Sequence, residues 1–158
     1  MKVTNLNHAV LWVSDPDASA EFYKRTFGFQ EVDRRPGFAV FMRASGSANH
    51  HDLAVMRGRS GPRPQGSVGL YHLAWEVATI EELAEAATSL AEAGALTGMS
   101  DHGVSKSLYG ADPDGIEFEI MWRVPREAWG DYEHQATTMP LDLKRELERF
   151  GSKAASKA

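Results

Sequence analysis

Two stretches of sequence, Leu-Asn-His-Ala-Val-Leu-Trp-Val (6–13) and Leu-Tyr-His-Leu-Ala-Trp-Glu-Val (70–77), place a histidine at the same point of two similar apolar runs. His8 and His72 are each the third residue of a run that is typical of a β-strand. When the second run is aligned on the first, one histidine falls on the other and Val77 falls on Val13. The chain is therefore predicted to contain two copies of one structural unit.

Each copy shows the same predicted order of elements, β-α-β-β-β. The first helix starts at Asp15-Pro16 and ends near Gly28, and the second has Thr79 and Glu82 as a capping box. The predicted strands cover 6–14, 29–34, 38–44 and 51–57 in the first copy, and 70–78, 95–100, 105–110 and 116–122 in the second. Strands and helices in this order predict an α+β fold.

Composition narrows the class of protein. The chain has 158 residues, 42% of them hydrophobic, which suits one compact domain. A formal net charge of -5 argues against a general nucleic-acid surface, and the absence of cysteine excludes disulfides and cysteine-ligated zinc. Because no run has the pattern of a signal peptide or a membrane span, we expect a cytoplasmic protein with no membrane or nucleic-acid partner.

The expected domain covers residues 1–124 and is followed by a tail at 125–158. Within the domain, unit one spans 4–57, a crossover spans 58–69, and unit two spans 70–122. The crossover is rich in Gly, Ser and Pro but short for a linker between domains. In the tail, an amphipathic pattern predicts a short helix near 140–150, and 151–158 is expected to fray.

One carboxylate stands out near the end of unit two. Glu119 lies in Ile-Glu-Phe-Glu-Ile-Met (116–121), directly after the turn Asp-Pro-Asp-Gly (112–115). Together with His8 and His72 it supplies two imidazoles and one carboxylate, the ligand set of a metal site that leaves positions open for substrate and oxygen. A single histidine on a strand is more often structural, and we interpret Glu117 as a solvated charge.

This pattern resembles the vicinal oxygen chelate superfamily, which includes glyoxalase I, extradiol dioxygenases, fosfomycin-resistance enzymes and bleomycin-binding proteins. The resemblance covers about residues 4–124. It implies that the two βαβββ units form a half-open barrel around a metal held by His8, His72 and Glu119. The metal implied is Fe(II), with Mn(II), Zn(II), Ni(II) and Co(II) as alternatives.

A second motif resembles the extradiol ring-cleavage signature: His102-x5-Leu108-Tyr109-x2-Asp112-Pro113-x-Gly115-x3-Glu119. Ser100, two residues before its histidine, departs from the usual pattern. The run His-His-Asp-Leu-Ala (50–54) resembles the strand that bears the acid/base histidine of those enzymes. The resemblance implies that His51 moves protons and that His102 and Tyr109 hold substrate oxygens. The alternatives are a surface position for His51, a loop position for His102 and a core position for Tyr109. Strand alternation predicts that His50 faces away from His51, and we expect no role for it in the site.

The position equivalent to Glu119 in unit one bears on the reaction. Aligning Met56 with Met121 places Ala54 there, where isomerases of the superfamily usually supply a fourth ligand. Because alanine cannot ligate, we expect an extradiol-type dioxygenase acting on a small catecholic aromatic substrate with O2. The alternatives are an isomerase or thiol transferase of the same fold, and a non-catalytic binding or resistance protein. We also expect a homodimer, with the tail or a strand edge at the contact.

Overall fold

The computed structural model describes residues 5–58 and 69–152. Most of the crossover predicted over 58–69 and of the frayed end predicted over 151–158 lies outside these ranges. The chain divides into two compact units. The first comprises Met1–Val68 with Asp112–Gly115, and the second comprises Gly69–Ala111 with Ile116–Ala158.

The first unit is a four-stranded sheet with one helix. Its elements are β1 (Ala9–Val13), α1 (Pro16–Phe27), β2 (Gln30–Arg35), β3 (Ala39–Arg43) and β4 (Leu53–Arg57). The strand order is β1-β4-β3-β2, with β1 parallel to β4 and the other pairs antiparallel. This is the predicted β-α-β-β-β arrangement.

Helix α1 forms where its caps predict it. The Asp15 side chain accepts hydrogen bonds from the N–H groups of Asp17 and Ala18, and Pro16 occupies the first turn. The helix ends at Gly28, whose φ of 66° is the left-handed conformation that glycine adopts freely. Its apolar face, which includes Phe22 and Tyr23, is buried and packs on β3 and β4.

The second unit repeats this arrangement and extends it. Its elements are β5 (Leu73–Val77), α2 (Ile80–Glu92), β6 (Leu96–Asp101), β7 (Ser105–Ala111), β8 (Glu117–Arg123), β9 (Met139–Pro140) and α3 (Leu143–Phe150). Two short 3₁₀-helices, Arg126–Ala128 and Gly130–His134, lie between β8 and β9. The strand order is β5-β8-β7-β6-β9, so its first four strands follow the order of the first unit. The predicted capping box of Thr79 and Glu82 is present. None of the helices within 5–58 and 69–152 is long and apolar enough to cross a bilayer.

Strand register confirms the internal repeat residue by residue. Val10 pairs with Ala54 in the first sheet, and Ala74, the counterpart of Val10 in the second histidine run, pairs with Glu119 in the second. Ala54 and Glu119 therefore occupy equivalent positions. Strands β1, β3, β4 and β5 are shorter than predicted, β2, β6 and β8 keep the predicted length, and β7 is one residue longer. The two histidines differ slightly from expectation: each directly precedes its strand, β1 or β5.

The predicted tail packs against the second unit. Strand β9 extends the sheet by pairing with β6, and α3 lies against α2. The ring of Phe150 lies 5.3 Å from that of Trp122. Glu146 is buried on α3, with its Oε2 3.4 Å from the Nζ of buried Lys106, which also lies 2.5 Å from Oδ1 of Asp101. Residues 139–152 are thus packed onto this unit.

Candidate functional site

Two of the three predicted metal ligands meet in the second unit. His72 directly precedes β5 and Glu119 lies on the neighbouring strand β8, so the parallel pairing of these strands brings the two side chains together. His72 Nε2 is 3.1 Å from Glu119 Oε2. The side chains are 24% and 13% exposed, so both are shielded yet reachable from solvent. His72 Nδ1 is buried and has no hydrogen-bond partner among the described residues.

This pair fits a divalent metal ion. Nitrogen and oxygen ligands lie about 2.0–2.2 Å from such an ion. Two of them at a right angle are therefore about 3 Å apart, which agrees with the 3.1 Å between His72 Nε2 and Glu119 Oε2. Without a metal, the same distance suits a hydrogen bond between the imidazole and the carboxylate.

Tyr109 and His102 lie beside this pair. Tyr109 on β7 is the register partner of Glu119, and its ring centroid is 6.0 Å from that of His72. The Tyr109 hydroxyl is 2.8 Å from His102 Nε2, and His102 Nδ1 is 2.7 Å from the carbonyl oxygen of Thr137. Burial, and then the charge of Glu119, raises the pKa of Tyr109, so its hydroxyl stays protonated.

His8, the third predicted ligand, lies in the first unit and is exposed. Its Nδ1 is 2.9 Å from the side-chain oxygen of Asn7. Because an amide oxygen only accepts hydrogen bonds, Nδ1 carries the proton in this contact. The Nε2 lone pair of His8 is then available, which is the tautomer that a metal-ligating imidazole needs.

His51 lies against His8 in the same unit. The two ring centroids are 4.5 Å apart, and the ring of Phe41 meets His51 edge-on at 5.3 Å. Burial, followed by the nearby rings of His8 and His50, lowers the pKa of His51, so the neutral imidazole is favoured at neutral pH.

The expected orientation of His50 is wrong. Strand alternation predicted that it faces away from His51, but the two Nδ1 atoms are 3.1 Å apart. Both residues precede β4, which begins at Leu53, so strand alternation does not govern them.

A polar network that the sequence did not indicate holds this part of the first unit. The Asp52 carboxylate accepts hydrogen bonds from the N–H of Ala44, the hydroxyl of Ser47 and the amide of Asn49, each at 2.8 Å. The same Asn49 amide nitrogen donates to the carbonyl oxygen of Asn7 at 2.9 Å. The network therefore links Asn7, which precedes His8, to Asp52, which follows His51.

The predicted turn at 112–115 is confirmed, and its acids have structural partners. Asp112 Oδ2 accepts a hydrogen bond from the buried hydroxyl of Tyr23 at 3.1 Å, and Asp114 Oδ2 accepts one from the N–H of Ser14 at 2.9 Å. Burial and the charge of Asp112 raise the pKa of Tyr23. These hydrogen bonds give both carboxylates of the turn a structural role.

The predicted site residues therefore fall into two clusters. His72, Glu119, Tyr109 and His102 lie together in the second unit, and His8 and His51 lie together in the first. Within residues 5–58 and 69–152, no group of three or more histidine and acidic side chains is close enough to hold a metal ion. The complete three-ligand set remains a prediction.

Comparison with protein families shows to which superfamily the chain belongs. The family described as the Glyoxalase/Bleomycin resistance protein/Dioxygenase superfamily matches residues 5–120. The chain belongs to this superfamily. The resemblance drawn from the sequence motifs is thereby confirmed.

Similar curated members of the superfamily carry dioxygenase names. The chain is 32% identical to "Catechol-2,3-dioxygenase" of Bacillus subtilis, over 94% of this chain and 53% of that protein. It is 26% identical to "Manganese-dependent 2,3-dihydroxybiphenyl 1,2-dioxygenase" of Geobacillus genomosp. 3, over 79% of this chain and 38% of that protein. The chain thus spans about half or less of the length of these relatives.

Solved structures confirm the superfamily's α+β fold. A glyoxylase/bleomycin resistance protein/dioxygenase domain from Frankia sp. EAN1pec aligns with a TM-score of 0.67 and 23% identity, over 79% of this chain and 96% of that one. A variant of the fosfomycin resistance protein FosX from Listeria monocytogenes, complexed with Mn(II), aligns with a TM-score of 0.65 and 20% identity, over 84% and 100%. At these identities the likeness shows the fold alone.

Proposed function

We propose that this superfamily member is a metal-dependent, extradiol-type dioxygenase that cleaves a catecholic ring with O2. The observation that carries the proposal is the His72–Glu119 pair with the Tyr109 ring beside it. One unit thus offers a nitrogen ligand, an oxygen ligand and a neutral hydrogen-bonding group. The names of the two curated relatives support the reaction class.

In this proposal His72 Nε2 and Glu119 Oε2 hold a divalent metal, and His8 Nε2 is the third ligand. The internal repeat supports His8, because it precedes β1 as His72 precedes β5. When bound, Fe(II) supplies positive charge that favours the deprotonated diol, together with a redox path between the diol and O2. Mn(II), Zn(II), Ni(II) and Co(II) are the alternative ions.

The remaining residues bind the substrate and move protons. His51, neutral because its pKa is lowered, takes a phenolic proton from the diol and later returns it as an imidazolium. The Tyr109 hydroxyl hydrogen-bonds an oxygen of the substrate, and His102 supports Tyr109. Val10 and Trp12, exposed on the strand that follows His8, offer apolar contacts to an aromatic ring.

The equivalence of Ala54 and Glu119 supports this reaction over an isomerase. Strand register places Ala54 where a fourth ligand would stand, and its side chain has no ligating atom. With three protein ligands rather than four, a bound metal would remain accessible to a diol and O2.

Oxygen uptake tests the proposal. Protein purified without oxygen and loaded with Fe(II) should consume about one O2 per catechol and form a coloured ring-opened semialdehyde. The absence of uptake with a broad panel of catechols would show that the dioxygenase assignment is wrong.

The alternative is a thiol transferase or isomerase of the same fold, because the His72–Glu119 pair could hold the divalent metal of such an enzyme equally well. Loading with Mn(II) or Zn(II) and assaying thiol-dependent substrate consumption distinguishes it. A purified protein that binds none of these metals would instead favour a non-catalytic binding protein.

A further inference from the structure

We infer that the C-terminal segment fixes the tautomer of His102 and thereby makes the Tyr109 hydroxyl a hydrogen-bond acceptor toward its ligand. His102 is then a positioning residue that acts through Tyr109. The inference rests on the proposed function only for the identity of the ligand, a catechol.

The first step is the contact between His102 and the C-terminal segment. His102 Nδ1 is 2.7 Å from the main-chain carbonyl oxygen of Thr137. A carbonyl oxygen has no proton to donate, so Nδ1 must carry one. In the neutral imidazole, Nε2 then has a free lone pair and accepts hydrogen bonds.

The second step is the hydrogen bond between His102 and Tyr109, whose direction follows from the tautomer of His102. Its hydroxyl is 2.8 Å from His102 Nε2 and donates its only proton there. Toward any other group, the hydroxyl oxygen of Tyr109 can then only accept a hydrogen bond. Because Tyr109 is the register partner of Glu119, it would meet a ligand bound at the His72–Glu119 pair, and that ligand must offer a protonated hydroxyl.

The third step is that the C-terminal segment is held in place on both sides of Thr137. Pro140 and Met139 of β9 pair with Ser100 and Asp101 of β6, next to His102. On the other side, the Tyr132 ring packs on Gly103, where an added Cβ would lie 2.4 Å from Tyr132 Cγ.

Farther along the segment, α3 is tied to the sheet by the buried pair of Glu146 and Lys106. The carbonyl oxygen of Thr137 therefore has a fixed position relative to the His102 ring.

Nitrogen-15 NMR of histidine-labelled, full-length, metal-free protein at neutral pH tests the tautomer directly. The signals of His102, assigned by their loss in His102→Gln, should show a protonated Nδ1 and an unprotonated Nε2. An imidazolium, or a proton on Nε2, would overturn the inference. This measurement needs neither metal nor catechol, so its result stands apart from the proposed function.

Two matched variants test the direction of the second hydrogen bond. In Tyr109→Phe, the Nε2 signal should move toward that of a free imidazole nitrogen, while Nδ1 stays protonated by virtue of Thr137. Tyr132→Phe removes a hydroxyl from the same region and should leave both signals unchanged. An unmoved Nε2 signal in Tyr109→Phe would show that Tyr109 does not donate to His102.

Ligand choice tests the consequence for binding. With Mn(II) and without oxygen, catechol should bind more tightly than its monomethyl ether. Tyr109→Phe should reduce that preference by about tenfold, the value of one good hydrogen bond. A preference unchanged by Tyr109→Phe would contradict an accepting Tyr109. If neither compound binds, the proposed function fails while the tautomer result stands.

Discussion

Strand β8 carries two glutamates, Glu119 and Glu117, and we propose only Glu119 as a metal ligand. Glu119 contacts His72, whereas Glu117, two residues earlier on β8, is exposed. Glu119→Ala should weaken metal binding by at least about 100-fold, because losing a ligand costs more than losing its supporting hydrogen bond. Glu117→Ala is the matched control and should bind the metal as tightly as the wild type does. Metal content after dialysis measures both, and equal retention would contradict the site.

His51 is expected to act in turnover without holding the metal. His51→Asn should slow turnover by about 10²–10⁴ and leave metal binding intact, the effect of losing a general acid/base. His134→Asn, at the exposed end of a 3₁₀-helix, is the control. Steady-state kinetics and metal analysis measure the two properties. Loss of metal from His51→Asn would show a ligand role instead.

The lowered pKa of His51 has a consequence for the pH profile. Because the neutral form persists to lower pH, kcat/KM should begin to fall only below about pH 6.5, the ordinary value for imidazole. An acid limb centred above that value would show that His51 is not the base observed.

For individual residues, the sequence predicted which residues belong to the site better than it predicted which atoms they contact. The repeated histidine and the turn before Glu119 were visible as patterns. The partners of His102 and His50 were not. Thr137 lies 35 residues from His102 and contributes a main-chain atom, which has no sequence signature. His50 stands in a bend, where strand alternation gave the wrong direction.

Among the elements, helices with clear caps were predicted to within a few residues. Asp15-Pro16 and the Thr79–Glu82 capping box start their helices through local hydrogen bonds and backbone geometry, which do not depend on distant parts of the chain. Strand β9 was missed because two residues carry no periodicity. Buried Lys106 was missed because its partner Glu146 lies far along the chain, on α3, and a lysine on a strand usually faces solvent.

The loop between β3 and β4 depends on one carboxylate. Although burial opposes it, the hydrogen bonds from Ala44, Ser47 and Asn49 lower the pKa of Asp52. Asp52→Asn should therefore cost about 1–3 kcal/mol of unfolding free energy at pH 7. Asp131→Asn, at an exposed position, is the control.

The cost should also depend on pH. A lowered folded-state pKa stabilises the protein fully above the unfolded value of about 3.9, and this stabilisation is lost as pH falls through the folded-state pKa. Urea unfolding across pH should show the difference from wild type shrinking in acid. A constant difference would contradict this role of the charge.

Helix α3 is held by a buried ion pair. Glu146→Ala leaves Lys106 with only Asp101, so we expect a loss of up to about 3 kcal/mol and faster hydrogen exchange over 139–152. Glu148→Ala, on the exposed face of α3, should change stability by no more than about 0.5 kcal/mol. Equal effects of the two variants would contradict the pairing.

For the whole molecule, we expect a homodimer. In the described sheets, the edge strand β2 is rich in charged residues, which discourage pairing, and β9 covers β6. The edge strands β1 and β5 are more apolar, and Trp12 on β1 is 66% exposed. A contact at one of these edges is therefore favoured over one at the tail. Light scattering at micromolar concentration should give twice the chain mass, and a single chain mass would contradict it.

The turn at Asp112–Gly115 belongs to the first unit although the chain on either side of it belongs to the second. During synthesis, the buried hydroxyl of Tyr23 must wait for Asp112, which emerges from the ribosome 89 residues later. Until then the hydroxyl lacks its hydrogen bond to a carboxylate, a contact worth about 1.5–3 kcal/mol. The first unit therefore reaches its final stability only after the chain has been made as far as this turn.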